Sequence, residues 1–182
     1  MFKLIQKKIR NFFLQKEMSK LNRDRRFVTL SQSKLVAVLF DANSPLDILT
    51  VKSFLKYLLN KGIDTHVLGY VHDRKMESIH LATLHINYFN MQHLNFLGIP
   101  NTEVSSTFLN RNYDMLINLS VDNSFPTRYI SFKSNAFYKV GSYEKKNQNH
   151  YDLMIKLKIH SLDFFTTNLI HYLELIDKNN EK

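Results

Sequence analysis

The chain contains no cysteine among its 182 residues, which excludes disulfides, thiolate zinc sites, iron–sulfur clusters and a cysteine nucleophile together. A reducing cytoplasm is therefore the expected compartment. Glycine is nearly as scarce. Its four residues, Gly62, Gly69, Gly98 and Gly141, lie too far apart to build a dinucleotide-binding loop, a Walker-type phosphate loop or a nucleophile elbow. No apolar run approaches the roughly 20 residues that cross a bilayer, so no transmembrane segment is expected. Lys3, Lys7, Lys8 and Arg10 interrupt the stretch from Phe2 to Leu14, and no small-residue cleavage site follows, so a secretory leader is not expected either. The remaining composition, 44% hydrophobic and 23% charged, is that of a chain able to bury one core without staples.

Charge is unevenly placed. The formal net charge is +9, and the first 26 residues hold nine bases against two acids, which leaves the rest close to neutral. The bases are Lys3, Lys7, Lys8, Arg10, Lys16, Lys20, Arg23, Arg25 and Arg26. Apolar residues in this segment follow helical spacing in two stripes, Phe2, Ile5, Ile9, Phe12 and Phe13 on one side and Leu4, Leu14, Met18 and Leu21 on the other. Two stripes predict two contacts, one with the chain's own body and one with a partner. The expected organisation is a basic helical arm over 1–27, one domain over 28–177 and a disordered tail over 178–182.

The body alternates strand-like and helix-like stretches. Leu35 to Asp41 (LVAVLFD) reads as a strand buried on both faces, Ser44-Pro45 opens a helix that Lys61-Gly62 closes, and Thr65 to Val71 is the next strand. A short helix over 76–84, a strand over 86–89, a helix over 102–110 and a strand over 113–120 follow. Then come a helix over 124–134, a strand over 137–140, an edge strand over 152–157 and a closing helix from Leu162. Phe27 to Leu30 is expected to be a short extended segment. This pattern predicts a three-layer α/β sandwich around a mostly parallel sheet of the Rossmann or flavodoxin kind.

In such sheets ligands bind beyond the carboxyl ends of the strands. The polar residues expected on that rim are Asp41, Asn43, Ser44, Ser120, Asp122, Asn123 and Arg128, with His72 and Asp73 beside them. They suit a small phosphorylated ligand, Arg128 acting as clamp, and equally suit helix capping and turns. Asp41 and Asp122 form the one carboxylate pair placed to hold magnesium, but without a phosphate-binding glycine loop no metal and no cofactor are expected. The eight histidines show no metal spacing, and no catalytic residue stands out. Tyr143 with Lys145 and Lys146 interleaves an aromatic with bases, a pattern that contacts RNA or lies in a solvated loop.

Taken together, the basic leader, LVAVLFDAN, VLGYV, NFLGIP, YDMLINLSVDNSFPTRYIS, FYKVGSY and YDLMIKL resemble an uncharacterised family of small Bacteroidota proteins carrying a domain of unknown function. The resemblance spans nearly the whole chain and implies no activity. Locally, YDMLINLS, Arg128 and the AFYKVG stretch are similar to the acceptor-side half of heptosyltransferase-type glycosyltransferases. That likeness implies a Rossmann-like topology, and the missing nucleotide-sugar half argues against transferase activity.

The function expected from the residues is non-catalytic binding of structured RNA, ribosomal or preribosomal, through Lys7, Lys8, Arg10, Lys16, Lys20, Arg23, Arg25 and Arg26. The alternatives are an enzyme using the strand-end rim, and an adaptor whose arm docks on a protein or an anionic membrane surface.

Overall fold

The all-apolar run LVAVLFD forms the central strand because only a position covered on both faces hides every side chain of such a run. In the computed structural model, which describes residues 2–18, 21–80 and 86–180 (side chains of 2–7 and 18 excepted), this strand β1 is Leu35–Asp41. Around it lie α1 (Phe2–Met18), α2 (Pro45–Asn60), β2 (Asp64–Val71), β3 (Ile86–Asn90), α3 (Thr102–Leu109), β4 (Met115–Asn118), α4 (Phe125–Lys133), β5 (Tyr138–Ser142), β6 (Leu153–Ile155) and α5 (Leu162–Asn180). The six strands run in the order β3-β2-β1-β4-β5-β6, and every neighbouring pair is parallel. The sheet is thus wholly parallel and has the Rossmann order, not the flavodoxin order.

Alternate residues of β1 separate the two cores. Val36, Val38 and Phe40 pack with α2 and α5 residues such as Val51, Phe54, Phe165 and Leu169, whereas Ala37 and Leu39 join Phe108 and Ile130 from α3 and α4 on the opposite face. Helix α2 starts where Ser44 Oγ accepts the Asp47 amide at 3.1 Å, and Pro45 occupies the first turn. It ends at Gly62, whose φ of +75° is the left-handed conformation that glycine adopts without strain.

Several elements differ from the sequence expectation. Helix α5 continues to Asn180, so 178–180 of the expected tail are helical. Of the helix expected over 76–84 there is a single 3-10 turn, Ser78–His80, and residues 81–85 lie outside the described residues. Phe27 to Leu30 forms no strand; Arg26 instead donates its backbone N–H to the Phe137 carbonyl at 3.2 Å.

The β5-to-β6 connection decides where the arm goes. Parallel neighbours usually need a helical crossover, but residues 143–152 contain only the 3-10 turn Lys145–Asn147. Helix α1 covers that gap. Its Leu14, 5% exposed, packs with Phe125 and Phe132 of α4 and with Tyr151 of the crossover. The sequence alternates small and large here for a reason: a Cβ on Gly141 would meet the Tyr151 ring at 2.7 Å. No described helix is long and apolar enough to cross a membrane.

Candidate functional site

The switch point of this sheet lies between β1 and β4, where strand order reverses. Asp41 ends β1 there, and its carboxylate accepts hydrogen bonds from the hydroxyls of both Ser120 and Ser124. A ring nitrogen of His72 lies 3.3 Å away. Ser120 Oγ also accepts the Ser124 amide at 3.0 Å, and Ser124 Oγ meets Thr127 Oγ1 at 2.7 Å. Asn123, at φ +50°, donates its amide to Ser142 Oγ at 3.0 Å. This hydrogen-bonded network occupies part of the crevice that holds the ligand in many sheets of this kind, and Asp41 and Leu119 still line a cavity beside it.

Both serine hydroxyls donate to the Asp41 carboxylate, and among the described residues neither bonds a histidine, so they form no serine–histidine pair. Ser44 caps α2, while Asn43 and Asp122 are exposed beside a cavity of about 140 Å³ lined also by Asp47 and His160. Among the described residues no three histidine, aspartate or glutamate side chains gather as a metal site. Arg128 does not join this rim: its Nη2 donates to Asn11 Oδ1 of α1 at 3.1 Å.

The basic residues assemble elsewhere, along the seam between α1 and the body. Arg23 is held by a bidentate pair with Asp152, both contacts at 2.8 Å, and its side chain is 8% exposed. Arg25 donates to the Asn149 carbonyl, and Arg26 pairs with Asp24 while lying 4.4 Å over the Phe137 ring. Arg10 is half-buried, 4.7 Å over Phe125. Lys8 and Lys16 are exposed; Lys7 is within α1 but its side chain is outside the described residues, as is Lys20 altogether.

These contacts leave a cleft of about 570 Å³ lined by Arg23, Arg25, Lys139, Lys146 and His150, with Gln15, Asn22, Asn149 and Phe132, and by no acidic side chain among the described residues. Lys139 is 1% exposed and donates its ammonium to the Phe132 carbonyl at 3.0 Å, in the last turn of α4, where a cation complements the helix dipole. Burial and then the Arg23 charge hold it well below the ordinary lysine range. His150 stacks on Phe132 at 4.1 Å between ring centroids. Burial, then Lys139, Arg25, Arg128 and Arg23, push it down to about 4.

Sequence reasoning found Arg23, Arg25 and Lys146 but passed over Lys139, His150 and Tyr151. Lys139 carried a signal: a lysine inside the apolar strand FYKV has nowhere to go but a buried partner. His150 carried none, since its place depends on the fold of the crossover.

An open parallel sheet in this order, with helices on both faces and a basic helix seated on one of them, defines a doubly wound, Rossmann-like α/β protein with a helical addition. The chain belongs to a family of unknown function (DUF6913), matched over residues 6–176. No curated protein and no solved structure matches it.

Proposed function

We propose that this protein is a non-catalytic RNA-binding adaptor that holds phosphate backbone in the basic cleft between α1 and the sheet domain. One observation carries the reading: four bases and a histidine from the joint, β5 and the crossover converge on about 570 Å³ of space whose lining has no acidic side chain among the described residues, Arg23 and Lys146 being paired with Asp152 and Glu144 outside that lining. Exposed Lys8, Lys16 and Lys145 extend the positive surface outward. On this reading the protein acts in the cytoplasm of a Bacteroidota cell, on the ribosome or a precursor of it. Its local likeness to heptosyltransferase-type glycosyltransferases concerns topology alone.

Fluorescence anisotropy with a labelled structured RNA tests this. Arg25→Glu with Lys146→Glu, two exposed bases, should weaken binding at least about 10-fold and flatten its salt dependence. Unchanged affinity and slope would refute the cleft as the RNA site.

A second reading rests on the outer stripe of α1. Ile9, Phe12 and Phe13 are 42%, 64% and 45% exposed, with Lys8 and Lys16 beside them, the composition of a helix that lies on an anionic membrane surface or meets a protein partner. Flotation with vesicles containing anionic lipid supports it if Phe12→Ser with Phe13→Ser abolishes flotation while RNA binding persists.

A further inference from the structure

Arg10 and Arg128 place two guanidinium groups against one ring, 4.7 and 5.6 Å from the Phe125 centroid. Arg128 is 6% exposed. Neither arginine has an ion pair among the described residues, and the Nε of each is buried without a hydrogen-bond partner. Burial holds both below the ordinary arginine range, and in Arg128 the Arg10 charge adds to it against an opposing pull from Glu144. Buried cations are normally paired, and a ring face offsets only part of the cost.

Next to Arg128 is a cavity of about 80 Å³ whose polar lining is Asn11, Gln15, Arg128, Lys146, Asn147 and His150. It shares Gln15, Phe132, Lys146 and His150 with the large cleft and so adjoins it. The volume equals two or three waters at about 30 Å³ each, the size of one phosphoryl group. The donors come from α1, α4 and the crossover, a spread that suits a tetrahedral acceptor better than a planar one. Glu144 is the acid tied to this lining, accepting from Lys146 at 2.8 Å and from Asn147 Nδ2 at 3.1 Å.

We infer that this small cavity beside the cleft is a discrete site for one phosphate group, bound by Arg128 and Lys146 with the amides of Asn11, Gln15 and Asn147. The phosphate takes the place of Glu144 on Lys146. This deepens the RNA reading and rests on the same cleft; free phosphate and the 5′-phosphate of an RNA are the two sources of the same group.

His150 lies in the lining and reports occupancy. Its surroundings are Lys139 of β5, Arg23 and Arg25 of the joint, Arg128 of α4, and Lys146 and Glu144 of the crossover, with Asp152 bound to Arg23. A bound dianion among these cations should raise its pKa by about one unit or more. The experiment follows the His150 ring signals of the full chain by NMR across pH, alone, with inorganic phosphate, and with one RNA carrying either a 5′-phosphate or a 5′-hydroxyl.

The expected result is a raised His150 pKa with phosphate and with the 5′-phosphorylated RNA, lost in Arg128→Gln and in Lys146→Gln and kept in Lys8→Gln. Lys146 is exposed, so its variant keeps the fold even if Arg128→Gln does not. A response to phosphate alone supports the site and counts against the RNA reading. No response to phosphate or to the 5′-phosphorylated RNA, while either RNA still binds, overturns the site and leaves the RNA reading standing.

Discussion

Asp152 joins two distant parts of the chain. It accepts both guanidinium bonds of Arg23 and the backbone N–H of Lys139 at 2.8 Å, so one carboxylate ties the joint of the arm to the start of β5. Because the Arg23 side chain is only 8% exposed, removing its partner leaves a buried charge unpaired. Asp152→Asn should therefore cost about 3 kcal/mol, read as a lower urea midpoint at unchanged slope. Lysine at position 23 should not restore an Arg23→Ala variant, since an ammonium cannot span two carboxylate oxygens.

At the level of elements, α1 is a two-sided helix with unequal sides. Leu14 is buried against Phe125, Phe132 and Tyr151, whereas Phe12 is 64% exposed. Leu14→Ala should lower stability by about 2–4 kcal/mol in urea unfolding, and Phe12→Ala by less than about 0.5 kcal/mol. The opposite placing of Leu14 and of Ile9, Phe12 and Phe13 was readable from helical spacing, as were β1, α2 and β2, because apolar runs, Ser44-Pro45 and Lys61-Gly62 are local signals. The seat of α1 was not readable. It depends on contacts such as Arg128 with Asn11 and Lys133 with Glu17, which are 117 and 116 residues apart in the chain. On the strand-end rim, Asp41 and Ser120 were indistinguishable in sequence from ligand-binding groups until their hydrogen bond and that of Ser124 to Asp41 were seen, and Arg128 is bound to Asn11 instead.

For the whole molecule, crowding of cations at one seam makes stability depend on pH. His150 is held at about 4, below its ordinary value near 6.5. Between those values the unfolded chain binds a proton that the folded chain refuses, so stability falls as pH drops through the window. Lys139, lowered by burial, acts in the same direction below its ordinary value of about 10.5. The urea midpoint should therefore drop from about pH 7 to about pH 4.5, and it should drop less in His150→Gln. His150 is only partly buried, so solvent screening limits the size of the effect without changing its sign.

The missing crossover helix also orders events in time. Helix α1 is made well before its seat, which is built from Phe125, Phe132 and Tyr151. At about 5–20 residues per second, a ribosome needs on the order of ten seconds to deliver that seat. Until then Leu14 has no seat, so the nascent chain exposes an apolar side chain that the finished protein buries.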